Sequence, residues 1–374
     1  MSKPSSSIFR FGPFDVEPRP NPPSSWVFLV SSIAVIAAFF CTGIVFAAYG
    51  VNPLVAYSKI IQGTLLEPQG LSTTVQRAIP LLLIGVGLVL AFRAKFLNIG
   101  AEGQMVIGAT FGGAVALFLP PLGPLTLPLM FIAGFLGGAA CAFLPAILKL
   151  KLEINEVITT LMLNYVASGI LSWLVNGPWK GKNAVGYSYT NDFPPEAWLP
   201  FLGDTRIHWP TLLIGIAFAG LVTFVLSSTR LGFRMRILGE NPVAAKYIGI
   251  NSLTTVLAVA LFSGGLAGMA GVAEVASIHH KLLDPNQISL GYGFTAIISA
   301  YLARGNPFAT IITALLLGAI FASGDVMKVA LQMPGQTTNV INGLMLFFLI
   351  GTEPLLKYKI TLAGKSALAR GRQS

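Results

Sequence analysis

Charge is scarce in this chain: Asp, Glu, Lys and Arg make up 10% of its 374 residues, against roughly a quarter in an average soluble domain. A water-exposed globule of this length is excluded. Cysteine is scarcer still, with only Cys41 and Cys141, each inside an apolar run where cysteine packs as a small hydrophobe. Neither a disulfide framework nor a cysteine metal site can be built from them. There is no HExxH, and His279 and His280 stand alone, so no metal site is expected. The stretch LAGKSALARG holds Gly364-Lys365-Ser366, the end of a phosphate-binding loop. Lys359 stands where that loop needs glycine and no strand is expected before it, so no nucleotide site is read there. No basic stripe interleaved with aromatics marks a nucleic-acid surface.

Apolar residues fill the space that charge leaves. They reach 54% of the chain and the mean hydropathy is +0.74, which places it among polytopic membrane proteins. Runs of about 20 apolar residues suit roughly 30 Å of hydrocarbon. Ten spans are expected, at 26–49, 74–92, 99–119, 125–148, 157–176, 210–227, 252–273, 289–303, 308–328 and 337–353, while 52–66 reads as an interfacial helix. The fold class is therefore all-α, a glycine-rich bundle of about ten transmembrane helices.

The remaining segments are short. Residues 1–25 are rich in proline and serine and read as a disordered tail, 26–353 as the membrane domain and 354–374 as a basic tail. With ten spans, seventeen of the 24 lysines and arginines fall on one side; short cytoplasmic loops retain such residues, so both termini are placed in the cytoplasm. On that reading the net charge of +10 is a matter of topology and contact with anionic headgroups. Arg77 lies near enough to the outer interface to snorkel, and Glu274 reads as a solvated loop charge.

Glycine is plentiful, with 40 residues, many of them spaced as small-xxx-small pairs: Gly108/Gly112, Gly134/Gly138, Gly264/Gly268 and Ala267/Gly271. Such pairs let helix backbones approach closely in lipid. Within FLNIGAEGQMVIGA, Asn98 can cap the third span and Glu102 can sit against its positive end, with Gly100 and Gly103 admitting another helix. Alternatively, Glu102 and Gln104 face the bundle interior, since charge facing lipid is costly, and pair with Arg93 or Lys95 or hold a gate closed. Asn164, a polar amide in mid-span, reads either as a pathway residue or as an interhelical hydrogen bond.

The loop 228–251 carries a helix of its own. Asn241 suits an N-cap, Pro242 the first helical position and Gly249 a left-handed close, which predicts a helix over Pro242–Ile248. Ala244, Ala245, Tyr247 and Ile248 are too few to hold it alone. It either docks into a partner or rests on headgroups.

FRAKFLNIGAEGQMVIGA, NEVITTLMLNYVA and RMRILGENPVAAKYIGI together resemble the membrane permease subunit of bacterial ATP-binding-cassette importers, in the simple-sugar and nucleoside branch. The resemblance covers residues 70–353. It implies that Gly239, Glu240, Asn241, Pro242, Ala244, Ala245, Tyr247 and Gly249 form the coupling helix that meets the ATPase, and that Asn98, Glu102, Gln104 and Asn164 are candidates for the pathway or its gate. It further implies a second permease subunit, identical or homologous, a solute-binding protein outside, and cytoplasmic ATP-binding chains that hold ATP and Mg while this chain, not an enzyme itself, holds no cofactor. The location implied is the bacterial plasma membrane. The NIGAEGQ form leans toward nucleosides as the small-molecule solute, with simple sugars as the alternative and an ATPase-independent secondary transporter as a more distant one.

Overall fold

The computed structural model describes residues 9–11, 14–18, 23–334 apart from 121 and 185, and 358–362, with a few isolated positions between 340 and 351. Two compact units form, residues 1–61 with 324–374, and residues 62–323.

In the smaller unit, β1 (Phe9–Phe11), β2 (Phe14–Pro18) and β3 (Tyr358–Leu362) make an antiparallel sheet in the order β1-β2-β3. Within the tail 1–25 expected to be disordered, this places strands at 9–11 and 14–18: Phe-Arg-Phe and Tyr-Lys-Ile-Thr-Leu alternate with a period of two, the pattern of strands, and Asp15 pairs in register with Thr361. A strand does then precede Gly364, but Lys359 lies within it, so the glycine that a phosphate loop requires is still missing. α1 (Ser24–Ala48) and α2 (Pro53–Ile61) follow. Tyr57 sits edge-on to Phe39 and Phe46, at 5.1 and 5.4 Å between ring centres, and Phe46, Ala56, Met327 and Met333 share a core.

Among its described residues the larger unit is helix, turn and loop, with one isolated antiparallel bridge between Tyr189 and Leu283. It comprises α3 (Pro68–Arg93), α4 (Ala101–Phe118), α5 (Thr126–Leu152), α6 (Glu156–Asn176), α7 (Trp209–Ser228), α8 (Arg230–Glu240), α9 (Pro242–Tyr247), α10 (Ser252–Glu274), α11 (Pro285–Ser289), α12 (Tyr292–Leu302) and the greater part of α13 (Ala309–Ala330). Small residues decide its centre. A Cβ on Gly264 would lie 2.6 Å from the Gly138 carbonyl oxygen, and one on Gly138 would lie 2.8 Å from the Gly268 Cα, so α10 and α5 touch backbone to backbone, and α4 joins them through Gly108 against Gly268. Dispersion at that range is what holds helices together where burial of apolar surface gives no drive. In their most apolar stretches α3 and α10 are 83% and 78% buried, α6 and α7 only 22%.

Among the described residues, seven helices are long and apolar enough to cross a membrane, and an eighth if Ile36–Ala48 and Pro53–Leu66, which meet at a 115° bend, make one broken span. Two of the ten expected spans have no counterpart in this count, 289–303 because the structure differs and 337–353 because it lies largely outside the described residues. At 289–303, Leu290 and Gly291 both take positive φ (46° and 81°), which stops α11 and restarts the chain as α12. Eleven residues rise about 16 Å at 1.5 Å each, half of the ~30 Å needed.

Candidate functional site

Two places carry the polar chemistry expected of this chain, a seam inside the bundle and a loop at its basic end. The seam exists because α4 and α12 start inside the bundle. Asn98, fully buried, reaches Ser263, the twelfth residue of α10, at 3.2 Å. Helix starts expose backbone N–H groups that need acceptors, and non-helical backbone at membrane depth is tolerated only when buried in protein. Each start borrows its acceptor from another helix. The Asn164 side chain of α6 accepts from Gly103 N–H (2.8 Å) and donates to the Ile99 carbonyl (3.0 Å). The Glu102 carboxylate of α4 accepts from Gly291 N–H (3.2 Å) and Gly293 N–H (2.7 Å) at the start of α12.

These contacts correct parts of the reading from sequence. Asn98 does not cap α4, whose N-cap is Gly100. It pairs with Gln104 through two reciprocal amide hydrogen bonds of 2.8 Å and accepts from Gly100 N–H at 3.1 Å. Glu102 serves the dipole of α12 and meets neither Arg93 nor Lys95. Arg93 donates to the Gly305 carbonyl at 3.0 and 3.3 Å, and the Lys95 carbonyl is held by Lys149 at 2.7 Å. Asn98, Glu102, Gln104 and Asn164 are all less than a tenth exposed, and the structure gathers them into one seam. Gly100 and Gly103 admit α6 as expected: a Cβ on Gly103 would lie 2.8 Å from the Asn164 Cα.

Close by, Arg77 of α3 donates to the Tyr292 hydroxyl at 2.9 Å and stands 3.9 Å from Glu274. Glu274 has a side chain 1% exposed, so the solvated loop charge and the snorkelling arginine read from sequence are in fact an interior pair. The sequence signal that was missed is LGYG at 290–293, where two glycines inside a short apolar run mark a break with close backbone approach. His280 stacks on Trp198 at 4.2 Å, so it packs the chain that follows α10 against the loop before α7.

At the basic end, α8 and α9 form as their capping residues dictate. Thr229 accepts from Gly232 N–H at 3.2 Å, and Asn241 accepts from the N–H groups of Val243 and Ala244, both at 3.0 Å. Pro242 opens α9 and Gly249, at φ 75°, closes the turn after it. Gly239 packs against the Arg93 carbonyl, where a Cβ would clash. Ala245 is buried while Tyr247, Val243 and Ile248 are 88%, 64% and 59% exposed. Of the residues assigned to coupling, Ala245 thus faces its own chain, and Asn241, Pro242 and Tyr247 are open. Arg93, Gly305 and α8 meet here, so the chain at 93–95, the loop 228–252 and the loop 302–309 share one end of the unit.

Comparison with known proteins is consistent with these features. Residues 70–350 match the family described as branched-chain amino acid transport system / permease component. The chain is 32% identical to a glucose ABC transporter permease protein of Haloferax volcanii over 93% of each chain. It is 27% identical to a nucleoside ABC transporter permease protein of Lactococcus lactis, over 86% of this chain and 90% of that one. It is 25% identical to a guanosine ABC transporter permease protein of Bacillus subtilis, over 86% and 92%. The chain belongs to this permease family and is a multi-pass membrane subunit of an ATP-binding-cassette importer of the simple-sugar and nucleoside branch.

Proposed function

We propose that this chain forms half of a solute pathway driven by ATP-binding subunits that dock on α9. The observation that carries the reading is the helix Pro242–Tyr247, capped by its own asparagine and showing Val243, Tyr247 and Ile248 to the outside. Apolar side chains on so short a helix are stabilised by insertion into a partner's groove. The shared end at which Arg93, Lys95, Lys149, Arg236 and Arg304 lie is the cytoplasmic one by the bias of short loops for basic residues. ATP and Mg are held by the docking chain, a second permease, identical or homologous, supplies the other half of the pathway, and a solute-binding protein meets the opposite end. The membrane is the bacterial plasma membrane.

In the pathway, Asn98, Glu102, Gln104 and Asn164 act as the internal joint. Their hydrogen bonds tie the starts of α4 and α12 to α6 and α10, so tilting of the helices flanking α9 is transmitted to two helix starts inside the bundle. For the solute, the NIGAEGQ form around Glu102 supports nucleosides. The greater identity to a glucose permease, 32% against 27%, supports simple sugars as the second reading.

The test replaces Val243 and Tyr247 with glutamate in cells and measures uptake of radiolabelled nucleosides and sugars, together with co-purification of the ATP-binding subunit. Uptake should fall to background with the chain still inserted and the ATP-binding subunit lost from it. Normal uptake in the double variant would overturn the docking assignment, and the panel that is taken up by the unaltered transporter decides between nucleosides and sugars.

A further inference from the structure

The outward faces of α5, α6 and α7 differ in chemistry. Along α5 the exposed side chains include Ile132, Leu136, Phe143 and Leu144, and along α7 Leu213, Ile216, Leu221 and Phe224. These are hydrocarbon faces suited to lipid. On α6 the exposed side chains include Ile158, Met162, Tyr165, Val166, Ile170 and Trp173, with Gly169 on the same face, so two aromatic rings with polar atoms interrupt an otherwise hydrocarbon surface. Tyr165 is 70% exposed and Trp173 66%.

Position makes Tyr165 anomalous for a lipid face. It is the tenth of the 21 residues of α6, about 15 Å from either end at 1.5 Å per residue. Tyrosine is favoured at membrane interfaces, where its hydroxyl meets water, and a hydroxyl in hydrocarbon without a partner costs several kcal/mol by transfer scales. One turn further along, nothing lies within 4 Å of where a Cβ on Gly169 would be, so a shallow recess separates the two aromatic rings. Behind this face, Asn164 holds the start of α4.

We infer that the Tyr165–Gly169–Trp173 face of α6 lines the aqueous solute route and that its aromatic rings contact the passing solute. Aromatic faces suit ring-shaped solutes that combine an apolar face with hydroxyls at the rim, and the recess at Gly169 leaves room for such a ring beside Tyr165. This assignment rests on the solute class proposed above, since nucleosides and simple sugars both have that form. It also gives the seam a consequence, because Tyr165 follows Asn164 directly in sequence: any movement of the α4 start against α6 occurs beside the solute.

The experiment uses the assembled transporter in membranes, with Cys41→Ser and Cys141→Ser as background. Single cysteines are placed at Tyr165, at Gly169, where the open space tolerates a side chain, and at Leu136 and Ile216 as lipid-face references. A charged methanethiosulfonate reagent is then applied with and without saturating nucleoside or glucose. Thiolate forms only where water reaches the sulfur, so labelling at 165 and 169 should be about tenfold or more faster than at 136 and 216. Solute that the unaltered transporter takes up should slow labelling at both positions. Labelling no faster than at the reference positions would overturn the inference in favour of lipid. Disulfide cross-linking of two copies through position 165 or 169, with labelling there no faster than at the reference positions, would overturn it in favour of a dry interface between copies. If neither nucleosides nor glucose are transported but 165 and 169 label rapidly, the proposed solute class fails and the water-lined face stands. If a transported solute gives no protection at either position, the solute contact fails.

Discussion

Helices that start at the basic end of the molecule are capped from within their own sequence, while those that start inside the bundle are capped from elsewhere. Asn155 accepts from Val157 N–H, Asn241 from Val243 and Ala244, and Asn251 from Thr254, so α6, α9 and α10 each carry a cap one residue ahead of them. α4 and α12 begin after Gly100 and Gly291, which offer no side chain. They take their acceptors from Asn164 on α6 and Glu102 on α4. A local cap stabilises one helix wherever that helix goes. A borrowed cap stabilises a relation between two helices, so it reports on their movement and resists it.

Glu102→Ala should break this pattern most severely. It leaves the amides of Gly291 and Gly293 buried without an acceptor, each costing about 1–3 kcal/mol, and should lower the thermal unfolding midpoint in detergent by more than any other capping change and abolish uptake. Glu102→Gln retains one acceptor oxygen and should fall between the variant and the parent. A Glu102→Ala protein as stable as the parent would show that α12 does not depend on the borrowed cap. Asn164→Leu comes next. The Gly103 amide and the Ile99 carbonyl lose their partners, and a loss of about 2 kcal/mol is expected, measured by the same midpoint. Combined with Glu102→Ala it should be non-additive, because both act through the first turn of α4.

Asn241→Ala should be milder in stability and sharper in function. Loss of a local cap costs about 1 kcal/mol, and here it is confined to α9, so global unfolding should stay within error while uptake drops with weaker retention of the ATP-binding subunit. Equal losses of stability in Asn241→Ala and Asn164→Leu would erase the distinction between the two kinds of cap.

The same distinction explains what could be read from the sequence. α9 was legible to within a residue because Asn241, Pro242 and Gly249 are its signals and all are local. The glycine pairs of α4, α5 and α10 were legible as packing surfaces, since the reason for small residues in lipid is independent of the partner. The partners were not. Glu102 stands in the first turn of its own helix, where the local dipole accounts for it fully, and nothing at 100–104 points to residues 291–293, nearly two hundred positions later. Arg77 and Glu274 failed in the same way, each having an ordinary explanation at a helix end. The apolar run at 289–303 was read as a span because composition does not register the left-handed turn at Leu290 and Gly291. The strands at 9–11 and 14–18 were masked by the prolines and serines of the first 25 residues around them, and the third strand of their sheet is at the other end of the chain.

The smallest expected effect gives the closest control, since it uses one substitution at two places on one helix. At Asn155, which is exposed and acts only as an acceptor for Val157 N–H, aspartate supplies the same oxygen and adds a negative charge at a helix N-terminus, favourable by about 0.3–1 kcal/mol at such a site. Asn155→Asp should therefore leave the unfolding midpoint unchanged or slightly raised. At Asn164, nine residues on, the amide both accepts from Gly103 and donates to Ile99. Aspartate there loses the donor, places its charge beside a carbonyl oxygen in a buried site, and should destabilise the chain strongly. If the two variants behave alike, the position of the cap, at the start of its own helix or midway along a neighbour, has no energetic meaning, and the internal joint proposed for α4, α6 and α12 falls with it.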